Sequence, residues 1–183
     1  MRFPVRFAVA AALAAAGAAH AQAPQAPQSS GPLSAALLSA WQRAAQNMPA
    51  AAELMPAEKF SYKPTPEQMS FGQILAHEAE SNETLCGAIA GGASTPSESA
   101  AGATAAKPEL VARLRKSFDS CRGVIAQLDE RALGDSVPFF GGRKATKARA
   151  AVALAQDWAD HYAQAAMYLR LNGILPPSAR PRK

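Results

Sequence analysis

Apolar residues recur at three- and four-residue intervals along four segments of the chain, which predicts four amphipathic α-helices. The first predicted helix runs from about Leu33 to about Met55, and Pro49 should kink or interrupt it. The second extends from Ser70 to about Ala90, with Gln73 completing a capping box around the Ser70 hydroxyl. Each helix gathers its apolar residues on one face, as packing in a bundle requires.

The third and fourth predicted helices occupy the second half of the chain. The third begins near Pro108, which suits a first helical turn, and its apolar stripe is the most regular one: Val111, Leu114, Phe118, Cys121, Ile125 and Leu128. The fourth runs from about Arg143 to about Asn172, with Gly173 as a left-handed C-cap. We therefore predict an all-α fold, an antiparallel four-helix bundle over residues 33–178.

Composition supports this architecture. Hydrophobic residues make up 49% of the 183 residues, but aromatic residues only 7%. Alanine is the main apolar residue, which favours helices over strands. A chain of this length closes one core without needing a metal or a disulfide. We expect a single helical domain.

The N-terminal residues have the features of an export signal. Arg2 and Arg6 precede an alanine-rich apolar stretch from Phe7 to Ala19, and Ala19-His20-Ala21 resembles a cleavage site, so residues 1–21 are predicted to be a signal peptide. Residues 22–32 form a Pro/Gln/Ser leader predicted to be disordered, and residues 179–183 a basic tail. We expect an exported, periplasmic protein without stable membrane insertion, since the apolar stretch is too short to span a bilayer.

Charge excludes one class of partner and leaves one cluster open to two interpretations. Without the signal peptide, 17 basic residues face 14 acidic ones, a balance too mild to predict nucleic-acid binding. Four basic residues crowd the predicted start of the fourth helix, either to dock an anion or as a solvated face: Arg143, Lys144, Lys147 and Arg149. Just before them, Phe139 and Phe140 either line a pocket or pin the connection to the core.

The two cysteines of the chain lie on predicted helices two and three, at or near inward-facing positions. In an exported protein Cys86 and Cys121 are expected to form a disulfide. Closing a loop of 35 residues stabilises the fold by about 3 to 4 kcal/mol in the chain-entropy model. A redox-active or metal-binding pair is the rival interpretation, but no CxxC spacing supports it.

Polar residues interrupt two of the apolar stripes. Glu78 lies in the inward stripe of the second helix with His77 on its flank, and on the fourth helix Asp157 precedes His161 by four residues. His77, Asp157 and His161 could converge as three ligands of a divalent metal such as Zn, Ni, Mn or Fe(II), with positions open for water or substrate. The alternative is a hydrogen-bonded histidine in a polar core network.

Two motifs resemble a known family. The segment Asp160–Ser178, DHYAQAAMYLRLNGILPPS, resembles the closing helix of the DinB superfamily, the DinB/YfiT-like metalloenzymes. The run Met55–Glu67, MPAEKFSYKPTPE, followed by FGQILAH at residues 71–77, is also similar to that family. The resemblance extends over about Leu33 to Ser178, nearly the whole mature chain.

The resemblance implies a four-helix bundle that binds a divalent metal through three histidines, one on the second helix and an H-x-x-x-H pair on the last. His77 and His161 match the first and last of these, whereas Asp157 stands where the family usually has histidine. Glu78 is a second departure, because an apolar residue normally follows the first histidine. Its carboxylate could orient a ligand imidazole, replace a ligand or face solvent.

What the resemblance implies about function is a metal-dependent enzyme, of hydrolase or thiol-transferase type, acting on a small molecule. Characterised relatives use low-molecular-weight thiols, but export would separate this protein from these cytosolic reductants, so hydrolysis is the simpler expectation. A homodimer is plausible from the family alone. The alternative is a non-catalytic periplasmic bundle that binds a partner and has lost the full metal site.

Overall fold

The computed structural model describes residues 31–92 and 105–181, which fold into four α-helices and one short β-hairpin. The helices are α1 (Pro32–Leu54), α2 (Phe71–Ile89), α3 (Lys107–Ala126) and α4 (Lys147–Leu171); the strands are β1 (Ser136–Pro138) and β2 (Lys144–Thr146). The predicted four-helix bundle is confirmed. The predicted signal peptide and residues 22–30 of the predicted leader lie outside the described residues.

The two ends of the bundle differ slightly from prediction. Pro32, assigned to the leader, is the first residue of α1, because proline is well suited to the first helical turn. Ala179, assigned to the tail, closes a 3₁₀ turn that begins at Pro177. The last two basic residues of the tail lie outside the described part of the chain.

Contacts between helices give their directions. Asn82 with Ser117 and Cys86 with Cys121 pair residues that advance together, so α2 and α3 run parallel, and in this pair the bundle departs from the predicted antiparallel arrangement. Residues Met55 and Trp41 of the first helical segment contact Lys107 and Phe118, and this reversed order makes α1 antiparallel to α3. In the same way, His77 meets His161 while Asn82 meets Trp158, so α2 and α4 are antiparallel.

The predicted helix boundaries are mostly confirmed. The Ser70 hydroxyl accepts a hydrogen bond from the Gln73 backbone N–H, and the Ser70 backbone N–H donates the reciprocal bond to the Gln73 side-chain oxygen, as a capping box requires. Gly173 ends α4 with φ of 73°, a left-handed conformation that favours glycine. Pro49 does not interrupt α1, because it removes only one N–H donor while the neighbouring alanines favour helix and Met48 is buried beside it.

The start of the fourth helix was predicted too early. The α4 helix begins at Lys147, with the Thr146 hydroxyl accepting from the Arg149 backbone N–H. Arg143 and Lys144 therefore do not belong to the first turn of a helix: Arg143 lies in the hairpin turn and Lys144 in β2, which pairs antiparallel with β1. The basic cluster is split between the hairpin and the helix.

The four helices enclose an apolar core that also contains the disulfide. Cys86 and Cys121 are bonded to each other and join α2 to α3, as predicted. The fully buried side chains include Met48, Met55, Phe71, Leu75, Leu85, Leu114, Phe118, Leu154 and Leu169. Within the described residues, no helix combines the length and apolar character needed to cross a membrane.

Candidate metal centre

The three residues predicted as ligands converge between α2 and α4. One ligand atom from each of His77, Asp157 and His161 lies within 4.8 Å of the other two. The rings of His77 and His161 meet edge to face with centroids 4.7 Å apart. His161 is buried, Asp157 is half-buried and His77 is exposed, so the cluster extends from the core to the surface.

Local sequence explains this convergence. Asp157 and His161 are four residues apart on α4, so one helical turn places both side chains on the same face. The antiparallel neighbour α2 brings His77 to the same level, because Asn82, five residues further along, is fixed to Trp158 by a hydrogen bond of 2.6 Å. The position of the cluster is therefore set by the packing of the core next to it.

Hydrogen bonding defines which nitrogen of His161 is available. Its Nδ1 atom lies 2.9 Å from the Asp157 backbone carbonyl oxygen, which can only accept, so Nδ1 carries the hydrogen. The Asp157 Oδ1 atom at 3.4 Å and the Glu78 Oε2 atom at 3.3 Å also face Nδ1. In the neutral imidazole, Nε2 is then the nitrogen with a free electron pair.

Glu78 is the residue whose role the sequence left open. Its side chain is fully buried with 0% exposure, which excludes the solvent-facing alternative. Neither carboxylate oxygen has an aligned hydrogen-bond partner among the described residues. The Glu78 Oε2 atom makes a charge contact with His161, whose Nδ1 atom lies 3.3 Å away. A buried acid held against a histidine in this way matches an acceptor that orients an imidazole.

Charges in the cluster alter its proton affinity. Burial raises the pKa of the Glu78 carboxyl group above its usual value. Burial alone would lower the pKa of His161, but the side chains of Asp157 and Glu78 outweigh it and raise that pKa to about 10. Glu78 and His161 titrate as a coupled pair, and the pair retains a proton at neutral pH in the protein without metal.

The donor set fits a divalent cation. Two imidazoles and one carboxylate are ligands that Zn, Ni, Mn and Fe(II) accept. The Asp157 Oδ2 atom and both Glu78 oxygens are buried without a hydrogen-bond partner in the described part of the chain. Unpaired anionic oxygens beside two imidazoles are what a cation would satisfy, and a bound cation would replace the proton held by His161.

A cavity of about 710 Å³ adjoins this cluster, between α2 and the β-hairpin. Its lining includes His77, Glu80, Phe139, Phe140, Arg143 and Lys144. His77 is the member of the three-residue cluster that reaches its wall. Sequence reasoning left the two phenylalanines open as a pocket lining and did not place the two cations there, because it assigned them to a helix.

The chain is similar to a known family over most of the described bundle. The family model described as the DinB superfamily matches residues 40–165. None of the curated proteins matches the chain.

Solved structures with the same fold are distant in sequence. A DinB-like protein from Bacillus subtilis superposes with a TM-score of 0.64 at 20% identity, covering 81% of this chain and 99% of that one. A DinB-like protein from Bacillus cereus gives 0.60 at 15% identity, covering 77% and 93%. A mycothiol-dependent maleylpyruvate isomerase gives 0.60 at 17% identity and 73% coverage; this chain spans 60% of its length.

Proposed function

The chain belongs to the DinB superfamily, and from this premise we propose that His77, Asp157 and His161 hold one divalent metal ion and that the protein is a metal-dependent enzyme for a small molecule. The observation that carries the proposal is the convergence of three ligand atoms within 4.8 Å of one another. His77 and Asp157 are 80 positions apart along the chain, so their proximity comes from the fold and not from their sequence spacing.

Each residue has a distinct task in this proposal. The Asp157 carbonyl oxygen accepts from the His161 Nδ1–H group, which orients the ring and leaves Nε2 as the metal ligand, while the Glu78 carboxylate places its charge 3.3 Å from Nδ1. Asp157 adds a negative charge that a histidine in its place would not supply, which favours retention of a divalent cation. His77 forms the side of the site that faces the cavity.

The metal supplies the reactive chemistry when it is bound: a divalent ion with open positions lowers the pKa of a coordinated water or thiol. We propose hydrolysis as the reaction class, with thiol transfer as the second candidate. The second candidate is supported by the similarity to an isomerase that is mycothiol-dependent by name. Hydrolysis is favoured because the protein is proposed to work outside the cytosol.

Export is part of the same proposal. A disulfide between Cys86 and Cys121 is typical of an oxidising compartment, and the first 21 residues have the features of a signal peptide. Mass spectrometry of the protein recovered from the periplasm should find a mature N-terminus at Gln22. Recovery of the uncleaved chain from the cytoplasm would contradict export without affecting the metal site.

Metal analysis tests the central claim. The mature protein, dialysed against each candidate ion in turn, should retain one equivalent of at least one of them, and His161→Ala and Asp157→Ala should lose it. Asp160→Ala is the matched control, because Asp160 is exposed on the same helix and contributes no atom to the cluster. Absence of stoichiometric metal in the unmodified protein would leave the non-catalytic binding protein as the better interpretation.

A further inference from the structure

The cavity beside His77 has two chemically different parts, both supplied by the β-hairpin. Phe139 and Phe140 place their rings together, with centroids 4.9 Å apart. Arg143 and Lys144 follow them across a turn that contains Gly141 and Gly142. An aromatic surface and two cations therefore line the same cavity of about 710 Å³.

The aromatic part combines a fixed ring with an accessible one. Phe139 is partly buried against the core, and the Arg149 guanidinium lies 6.0 Å from its ring centroid. Phe140 is 39% exposed although it is large and apolar. An exposed aromatic side chain at the mouth of a cavity offers a surface for the apolar part of a ligand.

The turn keeps the two parts together. Gly141 and Gly142 have φ of 66° and 71°, which allows the chain to reverse within two residues. The Arg143 Nε–H group then donates to the Phe140 carbonyl oxygen at 3.2 Å. This bond ties the cation to the aromatic residue and uses only one of the guanidinium N–H groups.

Positive charge in the cavity has no paired carboxylate in the part of the chain that the structure describes. Neither Arg143 nor Lys144 forms an ion pair with a carboxylate in residues 31–92 or 105–181. Glu80 is the one acidic residue on the lining, and its charge also acts on Arg113 of the neighbouring helix. Two cations without an ion-pair partner among the described residues, beside an aromatic surface, match a ligand with a negative group and an apolar body.

We propose that this cavity binds a small organic anion, with its carboxylate at Arg143 and Lys144 and its aromatic or apolar group on Phe140. This inference rests on the proposed function for its biological meaning, because it describes the substrate class of the same site. His77 lines the cavity, so a ligand held by the hairpin lies next to the candidate metal centre. The aromatic part would also distinguish such a substrate from simple anions.

Ligand-observed and amide NMR on the mature protein in the presence of a chelator tests the inference, with phenylacetate, phenylacetamide and acetate as probes. Phenylacetate should bind at least about fivefold more tightly than its neutral amide and about fivefold more tightly than acetate. The backbone amides of Gly141 and Gly142 should shift on binding. Omitting metal ensures that the carboxylate preference cannot come from coordination.

Matched variants assign the preference to named residues. The double variant Arg143→Gln/Lys144→Gln should lose the preference for phenylacetate over phenylacetamide, and Phe140→Ala should lose the preference over acetate. The control Lys63→Gln/Lys116→Gln removes the same charge from exposed residues outside the cavity lining and should retain both. All of these positions are exposed, so the fold should survive, which circular dichroism checks.

The outcomes separate the cavity from the metal centre. Equal binding of acid and amide, or a preference that survives Arg143→Gln/Lys144→Gln, would overturn the inference. Hairpin-dependent binding of phenylacetate in a protein that retains no metal would support the inference while removing the proposed enzyme function. Stoichiometric metal without discrimination among the probes would support the proposed metal site and overturn the inference about the cavity.

Discussion

Replacing His161 by leucine should destabilise the metal-free protein far more than replacing Glu78 by leucine. The asymmetry follows from the partners that each substitution leaves behind. Without His161, the fully buried Glu78 carboxyl loses its charge contact at 3.3 Å. Without Glu78, His161 still has the Asp157 carbonyl at 2.9 Å and the Asp157 carboxylate at 3.4 Å.

The expected magnitudes come from these contacts. Breaking a buried ion pair by removing one partner costs about 3 to 5 kcal/mol, because the remaining charge is uncompensated or must take up a proton. Glu78→Leu removes the buried charge itself, so we expect its cost to stay within about 1 kcal/mol.

Urea unfolding at pH 7.5 in the presence of a chelator measures all three variants. The double variant Glu78→Leu/His161→Leu should recover most of the loss, giving a coupling free energy of about 2 to 3 kcal/mol. The m-values should stay constant, which shows that stability rather than compactness has changed. A larger cost for Glu78→Leu than for His161→Leu, or additive effects, would show that the two side chains do not form an energetic pair.

Three further predictions concern the bundle around the site. Cys86→Ala/Cys121→Ala should lower the free energy of unfolding by about 3 to 4 kcal/mol relative to the oxidised protein, measured by urea unfolding; no loss would mean that the bond does not constrain the unfolded chain. The metal-free protein should lose stability as pH rises from about 6.5 to about 10, because the folded state retains a proton on His161 that the unfolded chain releases; the slope should flatten in His161→Leu. Asn82→Leu leaves the Trp158 indole N–H without its acceptor at 2.6 Å and should cost about 2 kcal/mol with a shift in tryptophan fluorescence, and an unchanged spectrum would argue against this bond.

The sequence predicted the helices well because their signal is long. Each α-helix carries several apolar turns, and the capping residues Ser70 and Gly173 mark two of the boundaries. The β-hairpin was missed because each strand has three residues, too few for an alternating pattern to stand out. Its strands are fixed by pairing between Val137 and Ala145, and a partner in space is not visible as a local period.

The candidate site shows the same division between local and distant information. The spacing of Asp157 and His161 was enough to place them on one face, and the apolar stripe around Glu78 indicated an inward position but left a solvent-facing side chain open, which its burial excludes. The spacing could not say that this carboxylate contacts His161 rather than an α3 residue. That outcome depends on which helices are neighbours, information that a stripe on a single helix does not contain.

The relative direction of neighbouring helices decides which side chains of these apolar stripes meet at the candidate site. A heptad seam has the same spacing whichever way its helix runs, so apolar periodicity is compatible with either direction for each neighbour. The contacts of Asn82 resolve this together with one further contact to each neighbour: Asn82 bonds Ser117 and Trp158, the Cys86–Cys121 disulfide makes α3 parallel, and the His77–His161 ring contact makes α4 antiparallel. With α2 held from both sides at this residue, His77 and Glu78 about one turn earlier must face the turn of α4 that follows Trp158, and His161 is the residue that occupies it. A buried amide that pairs with both neighbours thus fixes the register from which the candidate ligand set arises.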